Sequence, residues 1–119
     1  MQINIKGTGV ELTPEIQSYF DKRMHKVEKL LESDSSAQLD AELERRVTHT
    51  AGEEFRVEIT LTGAQMHIRS EATEETLHGA IDVVESHVLH ELRKSKGKKI
   101  HLVRRQAARF KNFLKGFRE

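Results

Sequence analysis

Between residues 37 and 72 the chain alternates apolar and polar side chains three times over, and few architectures accept that pattern. Ala37, Leu39, Ala41, Leu43 and Val47 oppose Gln38, Asp40, Glu42, Glu44 and Arg46, with Arg45 interrupting the apolar row. Phe55, Val57, Ile59 and Leu61 oppose Glu54, Arg56, Glu58, Thr60 and Thr62. Met66, Ile68, Ser70 and Ala72 oppose Gln65, His67, Arg69 and Glu71. Successive side chains of a strand point to opposite faces, so period two with one polar side predicts an antiparallel sheet covered on one face only. The links at Ala51-Gly52 and Thr62-Gly63-Ala64 are short, which makes these segments a meander of two hairpins.

What covers the sheet is written on either side of it. Met1 to Lys6 alternates, with Ile3 and Ile5 on one face, and predicts a first strand closed by Gly7 and Gly9. Thr13-Pro14-Glu15 is a helix start: a hydroxyl cap, a proline where its missing N–H costs nothing, and an acid at the positive dipole end. Ile16, Phe20, Met24, Val27 and Leu31 follow at helical spacing, and the helix is expected to end near Leu31 or Glu32. A second helix is expected from about Thr73, with Leu77, Ile81, Val84, Val88 and Leu92 as its buried stripe and Gly97 just past its end. The order β-α-β-β-β-α places both helices on one face of a four-stranded, mostly antiparallel sheet: a two-layer α/β (α+β) domain over residues 1–99.

Residues 100–119 form a third pattern. Ile100, Val103, Ala107, Phe110, Leu114 and Phe117 are spaced three and four apart among Arg104, Arg105, Arg109, Lys111, Lys115 and Arg118. That is a basic amphipathic helix with a narrow apolar seam, too short to stand alone in water. A protein-interaction module that self-associates weakly or grips a partner through this seam is one reading of it. Attachment to a membrane surface is another, though no membrane partner is expected of the chain as a whole.

Charge separates the two regions. The full chain of 119 residues is nearly neutral, but residues 91–119 hold eleven Lys and Arg against Glu91 and Glu119, a net +9, leaving −8 on the first ninety. An acidic body with a basic end points to a polyanionic partner. There is no cysteine, so disulfides and thiolate metal sites are excluded. No apolar run nears the roughly 20 residues that span a bilayer, and the N-terminus lacks the apolar core of a signal peptide, so a cytoplasmic location is expected. No Gly-rich phosphate loop, Gly-x-Ser-x-Gly elbow or His-Glu-x-x-His motif occurs, and neither an enzyme nor a cofactor is expected. His87, His90 and the adjacent Glu91 are the nearest approach to a ligand cluster, without a second group to complete four-coordination, so no metal site is expected. His49 is expected to form hydrogen bonds at a strand end, and His67 to face solvent.

The basic residues are better organised. Lys22, Arg23, Lys26 and Lys29 line one flank of the first helix. Arg93, Lys94, Lys96, Lys98 and Lys99 crowd the end of the second, with His87 and His90 one and two turns earlier and Arg104 and Arg105 beyond. With both helices on one side of the sheet, these are expected to make a single stripe facing a phosphate backbone. One Tyr, five Phe and no Trp leave little for base stacking, so shape and phosphate reading of folded RNA is favoured.

The segments Met1-Gln2-Ile3-Asn4-Ile5-Lys6-Gly7, Val10-Glu11-Leu12-Thr13, Val47-Thr48-His49-Thr50 and Ala80-Ile81-Asp82, in this order over residues 1–99, resemble the ribosome hibernation-promoting factor family, which includes ribosome-associated inhibitor A. The resemblance implies a fold like double-stranded-RNA-binding domains. It also implies a non-enzymatic inhibitor that binds the rRNA and proteins of the small ribosomal subunit, occupying the tRNA and mRNA path of idle ribosomes under stress. Arg23 and Lys26 match family basic positions on the first helix, and Lys94 and Lys96 match those ending the second. His87 and His90 stand where the family has Lys or Arg, and His78 where it often has Tyr. Without the family's long linker and dimerisation domain, the chain resembles the short form with a basic extension.

Overall fold

The Thr13 hydroxyl accepts a hydrogen bond from the Ile16 N–H at 3.2 Å, and from this cap a helix runs through Pro14–Leu30. In the computed structural model, which describes residues 1–50 and 52–94, that helix is α1. It lies between strands β1 (Gln2–Thr8) and β2 (Gln38–Thr48), and β3 (Gly52–Gly63), β4 (Met66–Glu74) and a second helix, α2 (77–94), follow. The strand order is β1-β2-β3-β4, with β1 parallel to β2 and both hairpins antiparallel. The two-layer arrangement expected from the alternation is therefore the one observed. The expected third helix at 100–119 and the capping role of Gly97 lie outside the described residues.

The apolar rows meet in one core. Phe20, Met24 and Val27 of α1 and Ile81, Val84, Val88 and Leu92 of α2 pack on Leu39, Leu43, Val57, Ile59 and Leu61 of the sheet, all with at most 1% exposure. Burying each such side chain is worth about 1.5–3 kcal/mol, which is what holds two short helices on the sheet. Because α1 and α2 follow parallel strands β1 and β4, they run in the same direction and lay their flanks side by side.

Three local expectations are corrected. β1 continues through Gly7 to Thr8, and Gly7 serves close approach: a Cβ there would stand 2.5 Å from the Val10 carbonyl oxygen. Thr73 and Glu74, assigned to the start of the second helix, extend β4 instead, where Glu74 pairs with Phe55. Thr76 caps α2, its hydroxyl accepting from the Gly79 N–H at 3.0 Å. Val47 has the parity of the apolar face yet is 72% exposed. The reason is length: β1 ends opposite Glu44 and β4 opposite Phe55, so residues 45–48 of β2 and 52–54 of β3 pair with each other and have no strand on their outer sides. The left-handed turn residue there is Gly52, at φ 70°. At that end of β2, the Thr48 hydroxyl lies 3.5 Å from the Gly52 carbonyl, while His49 is exposed.

The open face of the sheet is organised around Arg56, which is only 9% exposed. Register brings Glu42 opposite Glu58 and Glu58 opposite Glu71, a row of like charges that repels itself unless a cation is present. Arg56 supplies it: Nη2 donates to Glu71 at 2.6 Å and to Glu58, and Nη1 reaches Glu44 at 3.4 Å and Glu42 at 3.7 Å. Arg56 holds the Glu58 and Glu71 carboxyls below the usual carboxylate range, and Arg46 does the same for Glu44. Glu71 and Glu58 in turn keep the guanidinium more firmly protonated than usual.

Candidate nucleic-acid interface

The basic side chains expected to bind lie on the other layer, where the flank of α1 meets α2. At about 100° per residue, Arg23, Lys26, Lys22 and Lys29 fall on one side of α1 and the acids Asp21 and Glu28 on the opposite side. Lys22, Lys26 and Lys29 are exposed. Their ammonium groups make no ion pair among the described residues.

Arg23 is different. Its Nε lies 3.0 Å from Asp82 Oδ1 and donates to the Tyr19 hydroxyl oxygen at 3.1 Å. Tyr19 donates its own proton to the same Asp82 oxygen at 2.6 Å. The guanidinium carbon stands 5.3 Å from the centre of the Tyr19 ring, and the His78 ring meets that ring edge-on at 4.3 Å. The bond to Asp82 holds the Tyr19 hydroxyl above the ordinary phenol value, and the Tyr19 oxygen raises Arg23 in the same sense. Three groups from two helices thus close the α1–α2 seam, using Nε of Arg23 and leaving Nη1 and Nη2 without a protein partner among the described residues. The outer end of Arg23 is thus a planar fork of donors held in place from its inner end.

Beside this latch lies a depression of about 240 Å³ lined by Tyr19, Lys22, Arg23, Lys26 and Glu85. Tyr19 and Glu85 belong to no sequence pattern, and Asp82 only to the Ala80-Ile81-Asp82 segment of the family resemblance. Tyr19 and Asp82 are 63 positions apart, and their meeting depends on the packing of two helices.

The expected single basic stripe is divided. Arg93, eleven positions beyond Asp82 and so about three turns along the same line, continues the α1 side of α2 and is exposed. His87 lies on the opposite flank, its Nδ1 2.6 Å from the Ser70 hydroxyl of β4, and Lys94 is two turns further on the same line. His90 is exposed between the two lines. Lys96, Lys98, Lys99, Arg104 and Arg105 lie outside the described residues. Among the described residues, no cluster of three or more His, Asp or Glu is placed to hold a metal ion, and no helix is long and apolar enough to cross a membrane.

A family model described as Sigma 54 modulation protein / S30EA ribosomal protein matches residues 3–100. The chain is 26% identical over 98 residues to the ribosome hibernation promotion factor of Bacillus subtilis (strain 168), covering 82% of this chain and 50% of that protein. It is 27% identical over 96 residues to the protein of that name from Lactococcus lactis subsp. cremoris (strain MG1363), covering 81% and 50%. The chain thus spans about half the length of the curated relatives it matches. Among solved structures, a ribosomal subunit interface protein from Coxiella burnetii superposes with TM-score 0.68 at 16% identity, covering 82% of this chain and 99% of that one. The N-terminal domain of Thermus thermophilus Protein Y does so with TM-score 0.61 at 20% identity, covering 79% and 98%.

Proposed function

Because the chain belongs to the Sigma 54 modulation protein / S30EA ribosomal protein family, we propose that its folded part binds the small ribosomal subunit and holds idle ribosomes inactive. The domain lies in the tRNA and mRNA path and blocks it by its bulk, with no chemical step. Arg23, Lys26, Lys94 and Lys96 neutralise rRNA phosphates, Lys22, Lys29 and Arg93 extend the contact, and ribosomal proteins complete it. The relatives named for ribosome hibernation support this reading.

The observation that carries it is the sorting of charge between the two layers. On the open sheet face Arg46, Arg56 and Arg69 are each paired with carboxylates and Lys6 of β1 stands singly among acids, whereas on the helical face Lys22, Lys26 and Lys29 form a run of three that pairs with no acid among the described residues. Unpaired cations on an exposed ridge are what a phosphate backbone requires, and releasing its counterions supplies the affinity. A basic ridge flanked by few exposed aromatics reads shape and phosphate, as folded RNA demands.

Pelleting with purified small subunits tests the proposal. The chain should co-sediment at low salt, leave the pellet at high salt, and be displaced when tRNA and mRNA are bound first. Co-sedimentation that is indifferent to tRNA and mRNA would overturn the placement in their path.

A further inference from the structure

Glu85 is an acid in a basic place. It is 6% exposed and makes no hydrogen bond or close ion pair with any described residue, its charge acting on the nearby Arg23 guanidinium, and it lines the depression walled by Tyr19, Lys22, Arg23 and Lys26. A nearly buried carboxylate without a donor among the described residues takes one from water or from a ligand that displaces it. Its polar atoms are not sealed off, since no buried side-chain oxygen lacks a partner in the described structure, so the opening onto the depression is where that donor arrives.

A phosphate alone is a poor match, because it presents only acceptors and negative charge to Glu85. The match is a group that carries an anion for the rim and a donor for the floor. A ribose with its neighbouring phosphate does both, through the 2′-hydroxyl that distinguishes RNA from DNA. Size agrees: about 240 Å³ is below the roughly 300–1,000 Å³ of a site that swallows a whole small molecule, and suits one sugar-phosphate unit of a longer chain.

We propose that the α1–α2 depression is a ribose-phosphate subsite for RNA. Glu85 accepts the 2′-hydroxyl, and Lys22, Lys26 and the free Nη groups of Arg23 hold the adjoining phosphate. The Tyr19–Asp82 bond and the bond from Arg23 Nε to Tyr19 fix the Arg23 fork at the wall of the depression. The proposal rests on the reading that this helical face meets rRNA, and adds what selects RNA there.

The test is 2′-hydroxyl acylation probing of small-subunit rRNA saturated with the wild-type chain, with Glu85→Gln or with Glu85→Ala. Gln keeps an oxygen acceptor and the shape of the site, so it separates loss of fold from loss of contact. Wild type should protect a short run of riboses. In Glu85→Ala the acylation of one or two of these should return toward the free-subunit level while the rest of the footprint persists, with Glu85→Gln intermediate. Identical acylation in all three complexes would overturn the subsite, as would a change confined to base-edge modification. If Lys26→Ala leaves affinity unchanged and wild type gives no footprint, it is the rRNA reading itself that fails. If Lys26→Ala weakens binding but Glu85 variants change nothing, only the subsite fails.

Discussion

The His87 imidazole and the Ser70 hydroxyl meet at 2.6 Å, tying the outer flank of α2 to the edge strand β4. Ser70 is 4% exposed and stands on the apolar side of β4 between Ile68 and Ala72, so its hydroxyl depends on this partner. Ser70→Ala should lower stability by about 1 kcal/mol, a drop in Tm of about 4–8 °C for a domain this small, measured by thermal denaturation.

The same contact separates two histidines that sequence treats alike. His90 is exposed and free to face a ligand, whereas His87 is engaged. His90→Lys should tighten small-subunit binding by about threefold at low salt, as one more cation near phosphate would. His87→Lys should bring no such gain and should lower Tm, because it removes the Ser70 bond.

The seam between the helices can be unfastened without opening the core. Tyr19→Phe removes one hydroxyl and leaves Asp82 with Arg23 alone. The expected cost is about 1 kcal/mol by thermal denaturation, with a several-fold loss of small-subunit affinity because the Arg23 fork is no longer fixed. Asp82→Asn should behave in the same direction. If Tm falls and affinity does not, the latch serves the fold only.

Arg56 governs the acid behaviour of the open face. Its carboxylate partners Glu44, Glu58 and Glu71 have folded-state values below the usual 4.5, so what they contribute is present above that pH and is lost as pH falls through their lowered values. Stability should therefore decline as pH falls below about 4.5 in wild type. Arg56→Ala leaves four glutamates facing one another; it should cost about 1–3 kcal/mol at pH 7 and flatten the acid limb of the profile. Urea titrations at pH 3.5, 5 and 7 check both.

Val47 and Leu43 share an apolar row but not a fate. Leu43→Ala should cost about 2–5 kcal/mol, while Val47→Thr, on the overhanging hairpin, should change stability by less than about 0.5 kcal/mol. The pair marks where sequence stops being legible. Alternation at Ala37 through Ala72 specifies strands, faces and hairpins, because period two is a local property. It cannot tell that β2 and β3 outrun β1 and β4, which is a matter of register between distant segments. Thr73 and Thr76 are equally good caps by composition, and the pairing of Glu74 with Phe55 decides between them.

The site divides in the same way. The basic flank of α1 is visible in helical spacing alone, so Lys22, Arg23, Lys26 and Lys29 could be named from sequence. That Arg23 is held by Tyr19 and Asp82, that His87 turns to Ser70, and that Glu85 lines the depression are tertiary facts. Ala80-Ile81-Asp82 carries the family resemblance, but nothing in its local sequence points to the role of its carboxylate.

The salt dependence of small-subunit affinity tests the central claim most directly. Log K against log salt is to be measured for the wild-type chain and for the triple variant Lys22→Ala, Lys26→Ala, Lys29→Ala, whose side chains are exposed and make no ion pair among the described residues, so that the fold is kept. If the α1 flank lies on rRNA, the variant binds more weakly and its slope is shallower by about two units, reflecting the counterions no longer released. An unchanged affinity and an unchanged slope would contradict the account.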